Sequence, residues 1–131
     1  MSSPISPEEM WAADDASRAL GMELVEIDDG WAVVRMSVRP DMVNGHGLCH
    51  GGLVATLADS AFAVACNSRG MATVAAGFDV SFLRPAHEGD LLLATAAERS
   101  LEGRSGVYDV TVRRRDDTVI AEFRGRSRAL R

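Results

Sequence analysis

Between Leu53 and Cys66 the chain carries one charged residue, Asp59, flanked by Leu57, Ala58, Ala61 and Phe62. A carboxylate in apolar surroundings is costly unless a cation meets it or it takes up a proton. Asp59 is therefore paired with a buried Arg, aimed at solvent from an edge, or held in a cleft as a general base or nucleophile. N-capping does not account for it, because the helix around it starts about two turns earlier. Upstream lies Asn44-Gly45-His46-Gly47-Leu48-Cys49-His50-Gly51-Gly52, a glycine-rich loop that a ligand can approach closely. Gly51 and Gly52 fall at the predicted start of the helix, so their amides lack intrahelical acceptors. Those amides and the positive end of the helix dipole suit a developing oxyanion.

His46 and His50 are four residues apart, a spacing that suits zinc only on a regular helix. Glycines flank both, and the nearby acid is Asp41 in a loop, so no metal is expected. Cys49 and His50 make a poor nucleophile pair, because adjacent side chains seldom face each other. The plainer reading has His50 orienting the loop by a hydrogen bond and Cys49 packing.

All 14 basic residues are arginine, which excludes Schiff-base and pyridoxal-phosphate lysines and the lysine of a phosphate-binding P-loop. The formal net charge of −5 argues against nucleic acid as a partner of the whole surface. The charge is uneven: residues 1–83 hold 4 Arg against 11 acids, and residues 84–131 hold 10 Arg against 8. Arg84 precedes Pro85 at a strand end, and Arg124, Arg126 and Arg128 alternate along the last strand around Gly125. That face suits phosphate groups or, equally, a solvated sheet surface. Arg113-Arg114-Arg115 reads as edge protection.

Two cysteines, Cys49 and Cys66, make no disulfide framework and fit a reducing cytoplasm. The first twenty residues contain Glu8, Glu9, Asp14 and Asp15 and read as no secretory leader. The stretch from Leu53 to Cys66 is too short and too interrupted to span a bilayer.

The elements that must position these residues follow from periodicity. Ser6 as N-cap, Pro7 at the first helical position and Glu9 closing a capping box predict a helix that runs to Gly21. Strands are predicted at about 22–27 and 31–38, joined by Asp28-Asp29-Gly30, and at about 73–83, 90–99, 106–115 and 119–128. A helix from about Gly52 to Ser68 is apolar nearly all round and has to be buried. One domain of 131 residues results: an α+β fold, six antiparallel strands wrapped around a central helix, with hairpin connections after that helix and a short helix ahead of it.

With these residues placed, the chain resembles the hotdog-fold acyl-CoA thioesterases of phenylacetic acid degradation. The resemblance is carried by Asn44-Gly45-His46-Gly47, His50-Gly51-Gly52-Leu53 and Leu57-Ala58-Asp59-Ser60-Ala61-Phe62-Ala63. Further matches are Asp79-Val80-Ser81-Phe82-Leu83-Arg84-Pro85, Gly106-Val107-Tyr108-Asp109 and Phe123-Arg124-Gly125-Arg126-Ser127. It implies hydrolysis of acyl-CoA, phenylacetyl-CoA or hydroxyphenylacetyl-CoA foremost, by dimers with sites at the interface or by tetramers built as dimers of dimers. Asp59 would be the base or nucleophile, the Gly51 amide would polarise the carbonyl, and Asn44 of the facing subunit would hold the carbonyl or the water. Ser60, where the family commonly has Thr, would help place water or the carboxylate. His50, Gly52, Arg84, Pro85, Arg124, Gly125 and Arg126 form the expected substrate-binding set, with the arginines toward the CoA phosphates. Some relatives carry a serine where this chain has Ala75 and Ala76. No metal or organic cofactor is implied. Two other readings stay open: a hotdog hydratase or dehydratase that recruits His46 or His50 beside the acid, and a non-catalytic acyl-CoA-binding module that does not need Asp59.

Overall fold

The computed structural model describes residues 6–130. The Ser6 hydroxyl accepts the Glu9 amide at 3.3 Å, and Pro7 opens α1 (Pro7–Ala12). The Ser6 hydroxyl donates in turn to Glu8, where the expected capping box would have used Glu9. The single helix expected up to Gly21 is two. The Asp14 carboxylate accepts the Ser17 amide at 3.0 Å and starts a second helix, α2 (Asp15–Ala19). An Asp that can cap its own downstream turn competes with helix continuation, and here it wins.

The strands lie close to their expected bounds: β1 (Glu23–Asp28), β2 (Trp31–Ser37), β3 (Thr73–Phe82), β4 (Leu91–Glu102), β5 (Ser105–Arg114) and β6 (Val119–Ala129). They form one antiparallel sheet in the order β1-β2-β4-β5-β6-β3. β3 does not form the expected hairpin with β4; it pairs with β6 at the far edge. The connection of residues 83–90 crosses the end of the sheet, turned by Pro85 and held where Leu83 donates to the Ile120 carbonyl and Val38 to that of Asp90. Proline removes a ladder donor and stops strand pairing at that point.

The central helix, α3 (Gly51–Cys66), lies across the inner face of this sheet. Ala32, Val34 and Met36 of β2, Ala94 and Ala96 of β4, Tyr108, Val110 and Val112 of β5, and Phe123 of β6 are buried beneath it. The expected alternation in β2 and β5 is present, with Arg35, Asp109, Thr111 and Arg113 facing outward. Phe62 of α3 packs against Tyr108 and Phe123 at ring-centroid distances of 5.6 and 5.8 Å. The tip of its ring rests on Gly125, where a Cβ would lie 2.8 Å from three ring carbons.

The helix is less completely buried than its composition suggests. Leu57, Ala58, Ala61, Phe62 and Val64 are enclosed, but Gly52, Ala55, Thr56, Asp59 and Ala63 form a stripe that the sheet leaves partly uncovered. Among the described residues no helix is long and apolar enough to cross a membrane. Gly125→Ala should destabilise the fold by about 1–3 kcal/mol, the usual effect of overpacking a core. A lowered urea midpoint at unchanged slope is the expected readout; a parental midpoint would show that α3 can shift at no cost.

Candidate active site

A 3-10 turn at Pro40–Met42 leads into the glycine-rich loop, which closes through a bridge between Val43 and Cys49. The Asn44 amide donates to the Leu48 carbonyl at 2.7 Å, and its side-chain Oδ1 accepts from the amides of His46 and Leu48. An Asx side chain used this way holds a loop without a strand partner. Nδ2 of Asn44 is left with no acceptor among the described residues, a donor held in place by its own oxygen.

The loop hands over to α3 through His50, whose amide donates to Met42 and whose carbonyl accepts from Leu53 and Val54. Its backbone orients the loop; its exposed side chain caps nothing. The amides of Gly51 and Gly52 find no acceptor among the described residues. A Cβ on Gly51 would lie 3.1 Å from the Phe82 ring, so glycine lets that ring lie against the helix start. Cys49 donates its amide to Ala86, which ties the loop to the 83–90 connection. Asn44, Gly51, Val54, Phe82, Arg84 and Pro85 line a cavity of about 330 Å³ at this junction.

Asp59 sits two turns along α3 on the uncovered stripe, half-buried. No cation meets it among the described residues. Burial first, and the nearby carboxylate of Asp14 second, push its pKa above the ordinary carboxylate value. The Arg-paired alternative is not what the fold builds; Asp59 stands partly open to solvent on the uncovered stripe with its pKa raised, a setting that suits a solvent-facing edge acid and a general base alike. Ser60 faces inward, buried, with its hydroxyl 2.7 Å from that of Ser17. Its hydroxyl is thus spent on a contact between helices.

The binding set divides. Gly52 is exposed at the mouth of the loop, and Arg84 lines the cavity while one guanidinium N–H donates to the Val119 carbonyl at 2.8 Å. Arg124 and Arg126 point from the outer face of the sheet, away from α3, as the alternation predicts. Arg124 forms a two-pronged pair with Asp109 at 2.7 and 2.9 Å, and Arg126 meets Asp79 at 3.0 Å. The guanidinium of Arg124 holds the Asp109 carboxyl below its usual range. Neither arginine reaches the Asn44–Gly51 cavity, and Gly125 between them serves the packing of Phe62.

Asn44 and Gly51 therefore share one cavity within a single protomer, whereas the family resemblance placed them on facing subunits. Asp59 is the residue set apart, about 12 Å from Gly51 along the helix axis at 1.5 Å per residue. A reacting thioester needs its carbonyl carbon about 3 Å from the attacking oxygen and its carbonyl oxygen about 3 Å from the oxyanion donors. Burial pushes the Cys66 thiol up to about 12, which removes it as a thiolate at neutral pH. Among the described residues no three His, Cys, Asp or Glu side chains gather where they could hold a metal ion. The contact of Ser17 with Ser60 is not legible in the sequence because 43 residues separate them; the local signal at Asp14 and Ser17 is a capping pattern.

A family model described as the thioesterase superfamily matches residues 46–121, from His46 through the whole of α3 to β6. The chain belongs to the thioesterase superfamily. Within it, the acyl-coenzyme A thioesterase PaaI of Escherichia coli is 46% identical over 118 residues, 90% of this chain and 84% of that protein. The structure of the E. coli PaaI protein from the phenylacetic acid degradation operon superposes with a TM-score of 0.93 at 44% identity, covering 95% of this chain and 90% of that one. A variant of the phenylacetic acid degradation protein PaaI from Thermus thermophilus superposes with a TM-score of 0.86 at 38% identity, over 89% of this chain and all of that one. The fold is thus the hotdog thioesterase fold, in its acyl-CoA thioesterase branch.

Because the folded-state pKa of Asp59 lies above its unfolded value, the stability it contributes is present below the unfolded carboxylate range and lost as the pH rises through the folded value. At neutral pH its ionised form opposes folding. Asp59→Asn should accordingly melt at a higher temperature than the parent at pH 7, with the gain shrinking as the pH is lowered. Melting curves across that range check the sign.

Proposed function

We propose that the chain hydrolyses acyl-CoA thioesters, with phenylacetyl and hydroxyphenylacetyl groups the preferred acyl class, at sites shared between two copies. The observation that carries this is the unpaired, half-buried Asp59 on a helix whose first two amides have no acceptor among the described residues. The Asn44 Nδ2 and Gly51 amide of one copy hold the thioester oxygen, and Asp59 of a second copy supplies the base. The 12 Å separation along α3 supports that division. Edge strand β3, with Val74, Phe78 and Phe82 exposed, supports self-association, because a free strand edge with apolar side chains is a pairing surface.

Asp59 accepts a proton from water as the water oxygen bonds to the carbonyl carbon; the tetrahedral intermediate then collapses and the C–S bond breaks with its electron pair leaving on sulfur. In the nucleophilic variant the carboxylate attacks first, expels the thiolate and forms an anhydride that water cleaves. A thiolate leaves readily, so the chemistry calls for neither a metal nor an organic cofactor. The raised pKa of Asp59 makes it a stronger base near neutrality. The N–H groups of Arg84 not used on Val119, beside Pro85 at the cavity, suit a CoA phosphate, and the exposed His50 and Gly52 flank Gly51 in the chain. The arylacetyl preference is supported by the two PaaI proteins, both described in terms of phenylacetic acid degradation.

Asp59→Asn should lower phenylacetyl-CoA turnover by roughly 10²–10⁴-fold, and Asn44→Ala by roughly 10²-fold, with free thiol as the readout. Full turnover by Asp59→Asn would remove the mechanism. Equal mixing of these two variants, assembled together, should restore about a quarter of the parental rate, because half of the pairs gain one intact site. No recovery would place acid and oxyanion donors in one chain. Arg84→Ala should raise KM at little change in kcat, whereas the Arg124→Ala, Arg126→Ala double variant should keep its KM.

A further inference from the structure

Ser17 and Ser60 are two of the few buried polar residues, 3% and 7% exposed, and they meet across the contact between α2 and α3. The Ser17 hydroxyl donates to Oδ2 of Asp14 at 2.7 Å, while the Ser17 amide donates to Oδ1 at 3.0 Å. A serine has one hydroxyl proton, and that of Ser17 is committed to Asp14. The 2.7 Å contact between the two hydroxyls is then Ser60 donating to Ser17. A directed chain runs from the residue beside Asp59, through Ser17, to a half-buried carboxylate.

Resting on the reading of Asp59 as the base, we propose that Asp14 is a positioning residue for it: through Ser17 and Ser60 it holds the turn of α3 that carries the acid. Of the other charged side chains on the elements around α3, Asp15 and Arg18 of α2 pair with each other, and Glu26 and Asp28 of β1 are exposed. Glu8 and Glu9 of α1 are exposed, Glu23 of β1 pairs with Arg35, and Asp79 of β3 pairs with Arg126. Glu98 of β4 pairs with Arg69, and Asp109 of β5 with Arg99 and Arg124. Cys66, on α3 itself, stays protonated at neutral pH. Asp14 is the charged neighbour that acts on Asp59, and it makes proton loss from Asp59 harder.

The two roles separate experimentally. Asp14→Asn removes the charge and keeps Oδ1 as the N-cap acceptor, but its Nδ2 donates to the Ser17 hydroxyl and reverses the hydroxyl chain, so the charge is read from the pH profile alone. Ser17→Ala keeps the charge and breaks the hydroxyl chain. With phenylacetyl-CoA as the probe, Asp14→Asn should shift the acid limb of the kcat/KM profile to lower pH. Ser17→Ala should lower kcat several-fold with KM and the acid limb in place. An Asp14→Asn profile that keeps the parental acid limb overturns the electrostatic role, and a parental kcat in Ser17→Ala overturns the positioning role. Lowered melting temperatures with parental kinetics in both would make the chain purely structural and overturn the proposal. Asp59→Asn, assayed alongside, keeps the cases apart: if that variant turns over, the reading of Asp59 has failed, whereas if it is inactive the outcome bears on Asp14 alone.

Discussion

The tip of the Phe62 ring rests on the backbone of Gly125, and this contact sets how closely α3 approaches the sheet. With no side chain at 125, the helix sinks far enough to cover β2, β4, β5 and β6 with small and branched residues. The same approach aims Phe62 between Tyr108 and Phe123 and so fixes the rotation of the helix about its axis. Everything on the remaining stripe follows from that rotation. Asp59 cannot turn into the core, because the positions flanking it, Leu57, Ala58, Ala61 and Phe62, already fill it. It faces the uncovered side, half in water, where a carboxylate can exist without a cation and still have a raised pKa.

The distribution of cations reinforces this. Arginines on the outer face of the sheet are matched with acids on neighbouring strands, Arg124 and Arg99 with Asp109 and Arg126 with Asp79. These exposed pairs contribute little stability individually. Their consequence is separation: positive charge is kept on the face opposite α3, and among the described residues none reaches Asp59. At the break between two short helices Asp14 begins a new turn, and its carboxylate adds to the burial that raises the Asp59 pKa.

Much of the site was legible because its signals are local. A lone acid in an apolar helix, a glycine-rich approach to that helix and two-residue alternation in β2 and β5 each read directly from neighbouring residues. The pairing of β3 with β6 was not legible, because strand order depends on which edges remain free once the hairpins have formed. The division of the N-terminal helix turned on Asp14, whose capping and helical states differ by little in local energy. The arginines of β6 were correctly placed on one face, but the acids opposite them lie on other strands, and register decides that pairing.

Residue types along the chain determined the elements, the buried helix and the candidate reactive groups, since these depend on periodicity and on the cost of burying a charge. Tertiary structure alone decided which groups meet. It brought Asn44 and Gly51 to one cavity, set Asp59 about two turns away, gave Ser60 to Ser17, and turned Arg124 and Arg126 to the opposite face. The reason is physical: a helix presents its residues in fixed directions, but only the packing of its buried side against a sheet decides where those directions point.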